Sequence, residues 1–157
     1  MIGKGKSISH GTAALEYDLA KEIDGQTAAI EIARHELYGC TGAEMVQEMK
    51  PYHADFPNVK NNCLRFEVSP SIEESATFTD ADWAELGNDF MQRMGLANHQ
   101  YIIIRHSGTE SKKEQAHLHI LANRVSLSGE LYRDNWIGKK ATEAANAIAK
   151  ERNFVQS

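Results

Sequence analysis

The sequence predicts an α+β fold in a single domain over residues 1–157: an antiparallel β-sheet of about five strands with helices packed on one face. Ile102–Ile104 form an unbroken apolar run, which is typical of a buried strand, and residues 117–123 alternate in the pattern of a second strand. Thr41 and Thr79 each precede an apolar stripe at helical spacing. A composition of 41% hydrophobic and 25% charged residues is ordinary for a globular domain.

The N-terminal segment is predicted to contain two strands around one helix. Met1–Ser9 has the pattern of a polar edge strand. Ser9 or Thr12 can cap a short helix that runs through Lys21, because a side-chain oxygen at that position accepts hydrogen bonds from the first turn. Ala28–His35 alternates as a second strand.

The middle of the chain is predicted to contain two helices with a strand between them. Thr41 begins the first helix, and Pro51 ends it and starts a loop that continues to residue 62. Cys63–Val68 is the strand. The second helix begins at Thr79 and ends at Gly95.

The C-terminal part is predicted to contain two strands and a helix. Tyr101–Arg105 is the first strand, and a polar loop over residues 108–113 separates it from the second strand at residues 117–123. Asp134 can cap a final helix whose alanine and isoleucine residues face inward.

Three histidines on these two strands form a candidate metal site. His117 and His119 alternate on one face of their strand, so both rings point the same way, and His106 follows the neighbouring strand. Three imidazoles leave open positions on a divalent cation, which is typical of a catalytic centre. The alternative interpretation is that His117 and His119 are surface residues and that His106 ends its strand.

The net charge of −5 by itself argues against a nucleic-acid partner. The acidity is local, however, because seven acids and no Lys or Arg lie between Glu67 and Asp89, which leaves the rest of the chain at +2. No apolar run is long enough to span a membrane or serve as a signal peptide, and Cys40 and Cys63 have no motif spacing. We therefore expect a cytoplasmic protein without a membrane partner.

Two histidine segments carry a family resemblance. The segments read H-Q-Y-I-I-I-R-H and H-L-H-I-L-A-N-R-V, and S-I-S-H-G stands near the N-terminus. In this order they resemble the mobilisation relaxases of plasmids and other mobile elements, the MobA/MobL group of HUH endonucleases. The resemblance covers most of the chain, and it implies the HUH relaxase fold. Because relatives usually continue further, this chain is also expected to be a fragment of a longer protein.

The resemblance implies a metal-dependent enzyme that nicks one DNA strand at a transfer origin through a 5′-phosphotyrosine intermediate. Tyr17 stands where the family has its nucleophilic tyrosine, and the metal ligands of the family map onto His106, His117 and His119. From the sequence alone, an amphipathic aromatic with a packed ring and a solvated hydroxyl is the commoner role for a helical tyrosine such as Tyr17. The implied partners are single-stranded DNA, accessory mobilisation proteins and a coupling protein.

This sequence departs from the family pattern at one position near the histidines. Relatives commonly carry an acid two places after the first histidine, where this chain has Gly108. Glu67 is the candidate to replace that acid as a partner for a histidine. The other candidates for DNA contacts or for the surroundings of the metal are Asp18, Asn123 and Arg124, although Asp18 fits a helix surface charge equally well and the other two can simply end their strand.

The ligand set favours Mn²⁺ or Zn²⁺ over Mg²⁺, because magnesium prefers oxygen ligands. We expect Mn²⁺ to support nicking best, Mg²⁺ to act at higher concentration and Zn²⁺ to bind but perform less well. Two other functions fit the residues. One is a hydrolytic phosphodiesterase in which metal-bound water attacks, and the other is a DNA-binding module without catalytic activity.

Overall fold

A five-stranded antiparallel sheet forms the centre of the protein, for which a computed structural model describes residues 1–108 and 115–157. The strands lie in the order β1–β5–β7–β6–β4, so β1 and β4 are its edges. Their bounds are β1 Ile2–Ile8, β4 Ala29–His35, β5 Cys63–Ser69, β6 Tyr101–His106 and β7 His117–Asn123. A separate small hairpin joins β2 Glu22–Ile23 to β3 Gln26–Thr27. The predicted α+β class and antiparallel sheet are confirmed.

Helices cover both faces of the sheet, so the expectation that they pack on one face is wrong. The helices are α1 Gly11–Leu19, α2 Gly42–Met49, α3 Ile72–Ser75, α4 Asp80–Arg93 and α5 Ile137–Glu151. Residues of α4 and α5 share a buried cluster with Ile103 and Ile120, and residues of α1 and α2 share another with Ile102 and Leu121. The central strands are apolar on both sides, and each apolar side needs a cover.

Two of the predicted helix starts are confirmed by their caps. The Thr41 side chain accepts a hydrogen bond from the Glu44 amide, and Thr79 forms a full capping box with Asp82. Gly95, with φ +77°, follows α4 in the left-handed conformation that glycine adopts without steric cost. Sequence reasoning missed the four-residue helix α3, which Ser71 caps through Glu74.

The other two predicted caps are wrong. His10 precedes α1 and makes no side-chain cap, so neither Ser9 nor Thr12 fills that role. Trp136 precedes α5 in the left-handed conformation, with φ 59°. Asp134 instead accepts a hydrogen bond from the Ser7 hydroxyl at 2.7 Å, because α5 lies against β1 and brings the two side chains together.

Two connections differ from expectation or lie outside the structure. A turn of 3-10 helix over Lys50–His53 begins the segment that was predicted as a loop to residue 62. Of the polar loop predicted over residues 108–113, only Gly108 belongs to the described residues. None of the described helices is long and apolar enough to cross a membrane.

Candidate metal centre

Three imidazole rings meet where β6 ends and β7 begins. His106 and His117 are direct partners in the β6–β7 register, and His119 lies two residues further along the same face of β7. The ring centroids are 4.3 to 5.4 Å apart. One ligand nitrogen from each ring lies within 4.8 Å of the others. The predicted convergence of the three histidines is therefore confirmed.

Backbone carbonyls fix the orientation of two of these rings. His106 Nε2 lies 2.8 Å from the carbonyl oxygen of Asp18, and His117 Nδ1 lies 2.9 Å from that of Gln115. A carbonyl oxygen can only accept, so each of these nitrogens carries a proton. The free lone pairs are then Nδ1 of His106 and Nε2 of His117. Oriented imidazoles of this kind are typical of metal sites.

The spacing of two ligand atoms suits a single ion. His117 Nε2 lies 3.1 Å from His119 Nε2. Two nitrogens bound at roughly 2.0–2.1 Å to one tetrahedral ion are about 3.3 Å apart. The two rings therefore stand close to the positions that a shared cation requires.

Burial favours the neutral form of His106 and His119. Desolvation, with a smaller contribution from the neighbouring imidazoles, lowers the pKa of His119 from 6.5 to about 2. Desolvation also lowers the pKa of His106, against the opposing effect of its bond to Asp18. Neutral imidazole is the form that binds a metal, so these two rings are ready to bind one at neutral pH.

Asp18 connects helix α1 to the histidines. Its side chain is only 1% exposed, so the prediction of a helix surface charge is wrong. The carboxylate accepts hydrogen bonds from Arg65 at 2.6 and 3.3 Å, and Asp18 Oδ1 lies 4.0 Å from His119 Nδ1. Asp18 thus faces two of the histidines, with its carbonyl toward His106 and its carboxylate toward His119.

Tyr17 precedes Asp18 on α1 and remains accessible. Its side chain is 62% exposed. The ammonium group of Lys21 lies 5.7 Å from the centre of the Tyr17 ring, and the positive charge of Lys21 also contributes to lowering the pKa of His106 and His119. Lys21 therefore lies near both the Tyr17 ring and the histidines.

Comparison with known protein families identifies the family of this chain. The model of the relaxase family, MobA/VirD2-like, nuclease domain, matches residues 17–154. The chain belongs to this family. It is therefore a DNA relaxase domain, from a family of metal-dependent enzymes that nick single-stranded DNA at transfer origins in mobilisation.

A solved structure shares the fold of this relaxase domain. That structure comes from a study of the molecular basis of vancomycin resistance transfer in Staphylococcus aureus. The two chains superpose with a TM-score of 0.51 at 13% sequence identity, over 98% of this chain and 95% of the other. At that identity the similarity shows the fold alone. A search of curated proteins finds no match.

Glu67 of the relaxase lies on the same face of the sheet as the histidines. It is the register partner of His119 on β5, and both residues line a cavity of about 210 Å³. Within the described part of the chain, Glu67 makes no hydrogen bond to a histidine; Asp18 is the carboxylate that approaches His119. The expected role of Glu67 beside the histidines stays a prediction.

Asn123 and Arg124 lie at the opposite end of β7 and hold the fold together. Asn123 is fully buried, and its amide bonds to four partners: His53, Val125, the Met49 carbonyl and Gln100. Arg124 donates to the carbonyls of Tyr132 and Asn61 and pairs with Asp134 at 3.2 Å. These contacts give both side chains a structural role, and their expected contact with DNA stays a prediction.

Sequence reasoning missed the cations around the cluster. Arg65 alternates with the buried residues of β5, and the same alternation puts it on the histidine face. Its partner Asp18 is 47 residues away, and no local pattern links the two. Lys4 and Lys6 line the cavity beside His119. From the sequence, Lys4 and Lys6 could be recognised only as polar residues of an edge strand.

Proposed function

We propose that this relaxase cuts one strand of DNA at a specific site in a transfer origin by transesterification, with Tyr17 as the nucleophile. One observation carries the proposal: the accessible Tyr17 is adjacent to Asp18, whose carbonyl and carboxylate both face the histidine cluster. The helix that carries the hydroxyl is thereby fixed to the candidate metal centre. In this proposal, accessory mobilisation proteins and a coupling protein take part in selecting the transfer origin and the DNA strand that is cut.

The chemistry of the step exchanges one phosphodiester for another. The phenolic oxygen forms a bond to phosphorus, and the bond from phosphorus to the 3′ oxygen breaks. The products are a 5′-phosphotyrosine and a free 3′ hydroxyl. The two esters are of similar energy, so the same site can reseal the strand later. A tyrosine hydroxyl has a reference pKa of about 10. Attack at neutral pH therefore needs a base or a nearby cation that favours the phenolate.

The residues present fit a divalent ion. Nδ1 of His106 and Nε2 of His117 and His119 would hold it, and these three ligands leave positions open for phosphate oxygens. When bound, the ion polarises the scissile phosphate and stabilises the charge that develops on its non-bridging oxygens. Borderline imidazole ligands favour Mn²⁺ and Zn²⁺, and the proposal keeps Mn²⁺ as the best ion for nicking, ahead of Mg²⁺ and Zn²⁺.

The test uses single-stranded oligonucleotides from the DNA that flanks the gene, each labelled at either the 5′ or the 3′ end. The protein is incubated with Mn²⁺ and the products are separated on a denaturing gel. Transesterification predicts that the 3′ label shifts to the mass of a protein–DNA adduct, while the 5′ label appears on a short free fragment. Release of both fragments without an adduct would show that water attacks, as in a hydrolytic phosphodiesterase.

A parallel incubation with excess chelator tests the metal. The proposal predicts loss of both products, and addition of Mn²⁺ should restore them. Cleavage at full rate in chelator would remove the metal from the mechanism.

A further inference from the structure

Two lysines of the edge strand β1 face the candidate metal centre. Gly3 and Gly5 alternate with them and face α5, because a Cβ on Gly3 would lie 2.4 Å from the Ala141 carbonyl oxygen. Lys4 and Lys6 therefore point to the opposite face, where they line the cavity that contains Glu67 and His119.

The sheet register sets the distance from these lysines to the site. Lys4, Glu67 and His119 are successive partners across β1, β5 and β7. Neighbouring strands are about 4.8 Å apart, and alternate residues of one strand are about 6.7 Å apart. Lys4 is thus two strands from His119. Lys6 lies two residues further along the same face of β1 and adds a second positive charge to this edge of the sheet. Their separation resembles that of successive phosphates in an extended DNA strand.

These ammonium groups are available to a ligand. Both side chains are exposed, and neither forms a hydrogen bond or ion pair with a residue in the described ranges 1–108 and 115–157. Arg65 differs, because its guanidinium is committed to Asp18. Two unpaired cations beside a phosphodiester-cleaving centre suit an anionic ligand that extends away from that centre.

An exposed tryptophan lies beside the same edge strand, on the face that α5 covers. The hydrogen bond from Ser7 to Asp134 and the approach of Gly138 to the Gly5 carbonyl place the start of α5 along β1, and Trp136 lies between those two contacts. Its side chain is 78% exposed, and it makes no ring contact with a described aromatic residue. Its backbone adopts the left-handed conformation, which is unfavourable for a bulky residue.

We propose that the single-stranded DNA substrate lies along the outer edge of β1, with successive phosphates on Lys4 and Lys6 on one side of the strand and one base stacked on Trp136 on the other side. Lysines bind phosphates as point charges, and an exposed indole stacks on any base, so this contact is independent of sequence. The inference rests on the proposed function, since it extends the DNA strand away from the nicking site. It explains how a protein of net charge −5 holds DNA.

The test measures the affinity for fluorescein-labelled oligothymidylate of about 30 nucleotides by anisotropy over a series of salt concentrations, in chelator so that no cleavage occurs. The variants are the double substitution Lys4→Gln with Lys6→Gln, then Trp136→Ala and Trp136→Phe. Lys150→Gln on α5 and Tyr38→Ala after β4 are matched controls, because both residues are exposed and lie away from the start of α5.

The double lysine variant should bind more weakly, and its plot of log K against log salt should be shallower by about 1.4, at about 0.7 per phosphate contact. Trp136→Ala should lose about tenfold in affinity at all salt concentrations, and Trp136→Phe should keep most of it. The controls should bind like the wild type. Lysine and Trp136 variants that match the wild type would overturn the inference, as would a wild type without salt-dependent binding.

Failure of this inference and failure of the proposed function give different results. Adduct formation by the wild type, with oligothymidylate affinities unchanged in the variants, would reject only the path along β1. Absence of an adduct would reject the proposed nucleophile. An unchanged affinity in Trp136→Ala would indicate that the indole serves another partner, such as a protein.

Discussion

His106 donates a hydrogen bond from Nε2 to the backbone carbonyl of Asp18, at 2.8 Å across 88 residues of sequence. This bond fixes the last turn of α1 to the end of β6. It also selects Nδ1 of His106 as the free ligand atom, and it sets the position of Tyr17, the residue before Asp18. The helix that carries the candidate nucleophile is thereby anchored to the candidate metal centre.

The Asp18–Arg65 pair should respond unequally to loss of either partner. Asp18 is 1% exposed, whereas the Arg65 side chain is 22% exposed. Arg65→Met leaves a buried carboxylate unpaired and should lower the free energy of unfolding by about 3–5 kcal/mol. Asp18→Asn keeps a hydrogen-bonding group and should cost about 1–3 kcal/mol. Urea denaturation of the metal-free protein measures both.

Arg34→Met is the matched control for this pair. Arg34 pairs with Glu31 on a more exposed surface and also donates to the carbonyls of Leu37 and Gly39, so its loss should cost about 1–2 kcal/mol. A larger loss for Asp18→Asn than for Arg65→Met would contradict the burial that the structure gives to this pair.

Alanine at any of the three histidines should remove most of the metal affinity. Each ring supplies one of three ligand atoms, and a site with two imidazoles holds a borderline ion weakly. Calorimetric titration with Mn²⁺ and Zn²⁺ measures the loss. His10→Ala is the control, because His10 is an exposed histidine outside the cluster. Unchanged affinity in His106→Ala would disprove the three-histidine site.

The metal-free protein should lose stability as the pH falls below about 6.5. Burial lowers the pKa of His99, His106 and His119 in the folded state from 6.5, for His119 to about 2. The unfolded chain therefore binds more protons than the folded chain between the folded and unfolded pKa values, so acid favours unfolding. Each such histidine contributes at most about 1.4 kcal/mol per pH unit.

Urea denaturation at a series of pH values measures this slope for the wild type and for His99→Gln. The variant removes one buried histidine outside the metal cluster, so its stability should depend less steeply on pH, whatever its stability at neutral pH. Equal slopes for the two proteins would show that His99 titrates in the folded state as it does in the unfolded chain.

Asn123→Ala should destabilise the fold by about 2–4 kcal/mol, because it leaves buried partners of the amide unsatisfied. Nicking per folded molecule should not change, since Asn123 lies at the opposite end of β7 from His117. Denaturation measures the first effect, and the gel assay at a temperature where the variant is folded measures the second. A variant that is stable but inactive would contradict this prediction and support a role for Asn123 in DNA binding.

Local patterns in the sequence were sufficient to predict the two strands that carry the three histidines. Alternation on β7 fixes the common face of His117 and His119, and the apolar run before His106 predicts its strand. The signals that predicted the helix starts at Thr41 and Thr79 are also local. In each cap, the side-chain oxygen and the amide that donates to it are three residues apart.

The features that the sequence did not predict depend on long-range packing. The starts of α1 and α5 carry no capping side chain, and Trp136 precedes α5 in a left-handed conformation that no local pattern predicts. The burial of Asp18 follows from α1 docking on β5 and β6. The approach of Lys4 to His119 needs the strand order, which places β1 beside β5.

The most direct test of the central claim is adduct formation by Tyr17→Phe on the 3′-labelled oligonucleotide, compared with the wild type and with Tyr38→Phe. Tyr38 is the matched control because it is a second exposed tyrosine, at 74% exposure. Loss of the attacking oxygen should abolish cleavage and the adduct in Tyr17→Phe while DNA affinity stays within a few-fold of the wild type. Tyr38→Phe should form the adduct normally. An adduct in Tyr17→Phe at the wild-type level would contradict the assignment and place the nucleophile on another residue.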